Sequence, residues 1–241
     1  MEARPFPLLL QLPLHKKMKT RTAAISIFFC LLTIFCAASR TFGQTYDISS
    51  GGQPTITGAL NGSVTGSSSV LDNLSVTLNF GEISPANINS IVKVVVPIAI
   101  RSTQPYQVTV SLAGTGSANA QGVQTTDVGF GMNNFRSMGA NARVCTASSH
   151  IFYSPFSNDP AATVTINASG RVSYQSTLAN ISGSTVIVSG PRLSQTAQAR
   201  RNTDNGYSFD AIFVITPQFY ASGSFSVTLT FNISSGPSVP C

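Results

Sequence analysis

The side chains able to do chemistry are few in this sequence, and they are scattered. Beyond residue 43 the chain holds one histidine, His150, next to Ser148 and Ser149, and with Asp127 these spell out a Ser/His/Asp set. No G-x-S-x-G elbow accompanies them, and in so serine-rich a chain adjacency carries little information, so a solvated loop histidine is expected. "NTDNGYSFD" offers Asn202, Asp204, Asn205 and Asp210 as oxygen ligands. Its spacing departs from the calcium-loop pattern, and turn chemistry accounts for it. Asp204 and Asp210 flank a turn and a strand start rather than forming a carboxylate pair aimed at a cleft. Phe152, Tyr153 and Phe156 in "HIFYSPF" can stack on sugar rings or pack on the protein's own core, and core packing is the simpler use. These residues point to a non-enzymatic protein with no cofactor and no metal.

The compartment follows from the start of the chain. Lys16, Lys17, Lys19 and Arg21 precede the apolar run "AAISIFFCLLTIFCAA", and small residues follow in "ASRTFGQ". This is the pattern of a secretory signal peptide, cleaved to leave Gln44 first, with Met18 a more ordinary start than Met1. The competing reading is an uncleaved anchor, because the run approaches the roughly 20 residues that span a bilayer. Cys30 and Cys36 each follow Phe, not the small residue that lipid attachment requires. The whole chain carries a formal charge of +6, but past residue 43 Lys93 and seven arginines stand against Glu82 and six aspartates. The basic excess therefore belongs to the leader, and no later segment interleaves basic and aromatic residues, which excludes nucleic acid as a partner. Cys145 and Cys241 are the cysteines that remain. Two such residues do not make a metal site; in an oxidising compartment they form a disulfide, within the chain or, as the rival, between chains.

The elements that must position these residues read as strands. "GSFSVTLTFNIS" sets Phe225, Val227, Leu229, Phe231 and Ile233 at every second position, the mark of a strand with one buried face. Leu74, Val76, Leu78 and Phe80 alternate in the same way, as do Tyr106, Val108, Val110 and Leu112. "IVKVVVPIAI" reads as a strand buried on both faces apart from Lys93, with Pro97 marking an edge or a bulge. Asn205-Gly206 signals a hairpin turn. Short strands separated by turns, with no sustained helical period, predict an all-β antiparallel immunoglobulin-like sandwich, a barrel being the alternative. The division expected is a leader over 1–43, a Gly/Ser/Thr-rich extension or first strand over 44–70, and the sandwich over 71–241. Gly114 to Asn158 is the least regular region, and a binding site is expected in its loops.

Three segments, "VTLNFGEISP", "QPYQVTVSL" and "YASGSFSVTLTFNIS", resemble the pilin-like secreted domains of the spore coat protein U and archaic chaperone-usher fimbrial group. Phe80, Gly81 and Pro85 match an FG-x-x-x-P turn, Tyr106, Val108 and Val110 a Y-x-V-x-V strand, and Gly223 to Phe231 the C-terminal segment. The N-terminal cysteine pair usual in that group is missing, and the tail "SGPSVPC" runs past the last strand. The resemblance implies an incomplete sandwich finished by a strand from a like subunit, with a periplasmic chaperone holding it open beforehand. Ile56, Leu60 and Val64 share one parity in "TITGALNGSV", with glycines between, as a donated strand requires. The same segment also serves as the first strand of a self-contained sandwich. Two functions are thus expected for a secreted or cell-surface protein, reached through the periplasm if the source is Gram-negative: a pilin- or coat-like subunit assembling by β-strand pairing, or a self-contained adhesin or carbohydrate-binding module that recognises a surface glycan.

Overall fold

Period-2 alternation becomes strand pairing throughout. The computed structural model describes residues 45–58, 63–67, 72–83, 90–138, 149–166, 168, 171–193, 206–216 and 218–240. The strands are β1 (Tyr46–Ser50), β2 (Thr55–Thr57), β3 (Ser63–Ser67), β4 (Asn73–Ile83), β5 (Val92–Ser102), β6 (Tyr106–Ala113), β7 (Gly129–Met138), β8 (Ile151–Phe152), β9 (Thr165–Ile166), β10 (Val172–Ser173), β11 (Thr185–Gly190), β12 (Gly206–Ile215) and β13 (Gly223–Ser235). Helical structure among the described residues is confined to short 3-10 turns, and no helix of those residues is long and apolar enough to cross a membrane.

The protein is an all-β antiparallel sandwich. One sheet runs β1-β5-β12-β7, with β2 also paired to β5; the other runs β3-β4-β13-β6-β11-β8. A separate hairpin joins β9 to β10. The alternating side chains of β4, β6 and β13 point inward: Leu74, Val76, Leu78, Tyr106, Val108, Val110, Phe225, Leu229 and Phe231 are buried in the shared core. Val92, Val94, Val96, Ile98 and Ile100 of β5 meet them from the other sheet, with Tyr207, Phe209, Ala211, Phe213 and Ile215 of β12. Each fully buried Leu, Ile, Val or Phe contributes roughly 1.5–3 kcal/mol, so this two-layer core dominates the fold's stability.

Several local expectations change. The strand buried on both faces is β12 rather than β5, because Ile212 and Val214 pack outward beneath Tyr174, Ala161, Val164 and Val172. Pro97 lies inside β5, where a proline is normally excluded. Its carbonyl accepts from Gly51 N–H at 2.8 Å, so its missing donor faces the same side, and there β1 has ended at Ser50↔Ile98 and β2 begins only at Thr55↔Val95. Phe80-Gly81 is not a turn but a β-bulge within β4: Gly81 opposes Phe225, Asn79 opposes Ser226, and Gly81 takes φ 64°. Gly206 does not turn a hairpin either. It opens β12 opposite Met138, and a Cβ there would meet the Ile100 carbonyl oxygen at 2.8 Å. Asn205 and Pro85 lie outside the described residues.

Candidate functional site

Three connections meet at one end of the sandwich. β6 runs out at Ala113, opposite Thr228, while β7 enters at Gly129, opposite Val214; the described residues of the β12–β13 connection, 216 and 218–222, emerge at that same end. The β6–β7 connection is braced by its own polar groups. Gly114 and Gly116 take φ 107° and 98°, Ser117 N–H donates to the Val123 carbonyl at 2.8 Å, and the Gln124 side-chain amide donates to the Asn119 carbonyl at 2.9 Å. The Asp127 carboxylate closes the last turn by accepting Gln124 N–H at 2.9 Å.

The three pieces are tied to one another. Ala221 N–H donates to the Gln121 carbonyl at 3.0 Å, joining the β12–β13 and β6–β7 connections. Val172 N–H, on the β9–β10 hairpin, donates to the Gln218 side-chain oxygen at 3.2 Å. Gln218 in turn donates its amide to the Tyr220 hydroxyl at 2.9 Å. Arg171, at the start of β10, reaches Asp127 at 3.3 Å. Between these walls lies a cleft of about 740 Å³, lined among others by Gln121, Asp127, Ile166, Arg171, Phe219 and Tyr220.

Its character is mixed in a specific way. Phe219 is 99% exposed and Ile166 73% exposed, the two most exposed large apolar side chains among the described residues, and both stand on this cleft. Asp127 is only 7% exposed, whereas the Arg171 side chain is 67% exposed. Burial, and then the negative charge of Asp127, push the Tyr220 hydroxyl far above the ordinary phenol range, so it stays protonated. Burial likewise raises Tyr174, whose hydroxyl donates to Thr216 at 2.8 Å. A fixed carboxylate, a guanidinium and a neutral phenol beside exposed apolar side chains can hydrogen-bond and stack.

The residues singled out from sequence are distributed differently. His150 is not solvated: it is 7% exposed and stacks on Tyr207 at 3.7 Å, flanked by Tyr106 and Phe152. Asp127 is engaged by Gln124 and Arg171, and Ser148 lies outside the described residues. Phe156 is buried in the core and Phe152 packs against it on Phe135, so neither offers a stacking face; the Tyr153 hydroxyl lies 3.1 Å from Ser189 Oγ. Asp210 lies beside Asn134 at 2.7 Å and Arg136 at 3.6 Å, and Asn202, Asp204 and Asn205 fall outside the described residues, as do Leu60, Cys145 and Cys241.

Phe225, Val227, Leu229, Phe231 and Ile233 are all buried on β13, and β13 lies between β4 and β6 with both edges paired within its own chain. Ile56 and Val64 do not share a strand. β2 ends at Thr57, before Gly58 at φ 112°, and Ile56 pairs opposite Val94 in one sheet while Val64 pairs opposite Leu78 in the other.

The expected loop region supplies one wall of the cleft, through Gln121, Gln124 and Asp127, but Ile166, Arg171, Gln218 and Phe219 were not anticipated. "TPQFYASG" carried a usable signal: Phe219 sits among turn residues, outside any alternation that would bury it. Compared with family models, curated proteins and solved structures, the chain matches none.

Proposed function

We propose that the protein is a secreted, non-catalytic binding module, a self-contained sandwich that holds a surface polymer in the cleft between its three connections. One observation carries this reading: Phe219 and Ile166, the most exposed large apolar side chains described, stand together on one braced cleft. Apolar surface concentrated beside fixed polar groups is what a ligand covers, and single exposed residues scattered elsewhere need no such account. The test is adherence of the mature protein, from Gln44, to cell-envelope preparations. Phe219→Ala with Ile166→Ser is expected to weaken adherence by about tenfold or more while leaving the melting temperature in place, since neither side chain is in the core. Unchanged adherence would reject the cleft.

A second reading, a pilin-like subunit assembling with like subunits, draws on the N-terminal strands. β1 and β2 line the edge of one sheet at β5, and β3 lines the edge of the other at β4. The same ladders can be made by a neighbour's residues 45–67, with a periplasmic chaperone holding the edges beforehand. Oligomer size against protein concentration tests it.

A further inference from the structure

We infer that the cleft takes an uncharged polysaccharide chain, read through its vicinal hydroxyls by Asp127 and Arg171 and through its C–H face by Phe219; this rests on the binding-module reading above. The cleft is not alone. A second hollow of about 320 Å³ adjoins it, and the two share Asp127, Arg171 and Val172 as a common wall. The ion pair therefore stands between two compartments, which suits an extended chain passing over it better than one small molecule in a closed pocket. The larger compartment is within the roughly 300–1,000 Å³ of ordinary small-ligand sites, so a sugar unit fits without rearrangement.

Charge decides against polyanions. Among the described residues lining the two hollows, Asp127 and Arg171 are the only ionised ones, and they are opposite in sign. A sulfated or uronic acid chain would meet a site of no net charge, because the exposed Arg171 guanidinium is already paired with the buried Asp127 carboxylate. A hydroxyl suits the pair because it both donates and accepts. The carboxylate oxygens of Asp127 can accept further hydrogen bonds, the Arg171 guanidinium donates through a planar fork, and neighbouring hydroxyls on a sugar ring can satisfy both at once. Asp127 is held by Gln124 N–H, so the polar side of the site is fixed before ligand arrives.

The apolar side is complementary. A pyranose ring presents a face of C–H bonds beside its equatorial hydroxyls, and an exposed aromatic such as Phe219 stacks on that face while Ile166 lies along the same cleft. A peptide strand fits less well, because the main-chain groups bracing the walls are committed: Ala221 N–H to Gln121 and Val172 N–H to Gln218.

The mature protein would be run by native affinity electrophoresis through gels holding galactomannan, mannan or mixed-linkage glucan as neutral chains, heparin and polygalacturonate as anionic ones, and gelatin as polypeptide. Its adherence to envelope preparations would be measured before and after periodate, which cleaves vicinal diols. Loss of adherence after periodate is expected. Retardation by a neutral chain should resist added salt and fall about tenfold or more in Phe219→Ala, Asp127→Asn and Arg171→Gln, while Phe219→Tyr is retained. Melting temperatures of the variants separate lost binding from lost folding. Adherence that survives periodate, retardation confined to heparin, polygalacturonate or gelatin, or neutral-chain binding indifferent to Asp127→Asn and Arg171→Gln in a folded protein would overturn the ligand assignment and leave the binding module standing. Adherence unaffected by Phe219→Ala with Ile166→Ser would remove both.

Discussion

Two phenol hydroxyls, on Tyr106 and Tyr207, are buried without a hydrogen-bond partner among the described residues. They sit beside His150, whose ring stacks on Tyr207. Burial pushes the Tyr207 hydroxyl up to about 12 and raises Tyr106 as well, the latter helped by Tyr207 itself. The folded state thus holds a proton that the unfolded chain releases near the ordinary phenol value of about 10. Stability from these tyrosines is intact below that value and drains away as pH rises from about 10 through 12. We expect alkaline unfolding in that window, followed by urea denaturation at neutral and high pH, with a smaller alkaline loss in Tyr207→Phe. At neutral pH the same variant should be unchanged or up to about 1 kcal/mol more stable, because it deletes a donor that has no partner among the described residues. A large loss at neutral pH would reveal a partner for the hydroxyl. Sequence could not place this box: a lone histidine beside serines carries no trace of the aromatic rings that β6, β8 and β12 bring to it from distant positions.

Among the elements, legibility followed how local the burial is. β4, β6 and β13 were readable because each hides one face, and the residues that hide recur at every second position. β7 was not readable. Its first half, Gly129 to Met132, is buried, and its glycines are needed because a segment far along the chain presses on them: a Cβ on Gly131 would run into the Asn158 carbonyl, and one on Gly129 into Tyr174. Glycines chosen for close approach look, in sequence, like loop. Pro97 marks a local edge that sequence does not locate, since the break it faces lies between β1 and β2, far back along the chain. This yields a contrast between two substitutions. Ile48→Ala, at a fully buried side chain of β1, should cost about 2–5 kcal/mol, whereas Pro97→Ala, at a half-buried side chain that donates nothing to the ladder, should cost under about 1.5 kcal/mol. Equal losses in chemical denaturation would mean that β1 does not hold the place described.

For the whole molecule the deciding matter is whether the sandwich is complete in one chain. β13 is flanked on both sides by its own chain, and the strands from Tyr46 to Ser67 cover one edge of each sheet. Handing that segment to a neighbour would exchange one set of contacts for an identical set, so no new interaction energy favours the dimer; only concentration does. The connection from Ser67 to Asn73 is short, and a segment so tethered sees its own edge at an effective concentration on the order of mM. Exchange therefore needs comparable protein concentrations or a chaperone that keeps the edges open. We expect the protein beginning at Gln44 to show a Cys145–Cys241 bridge within the chain on non-reducing peptide mapping, to remain monomeric at micromolar concentration and to melt at a temperature independent of concentration. Sedimentation and calorimetry across a wide concentration range check this, with and without reductant. A mass that climbs at micromolar protein, or a melting temperature that rises with it, would show that the N-terminal strands belong to a neighbour and would favour the assembling subunit over the binding module; a dimer that dissociates only on reduction would instead place the bridge between chains.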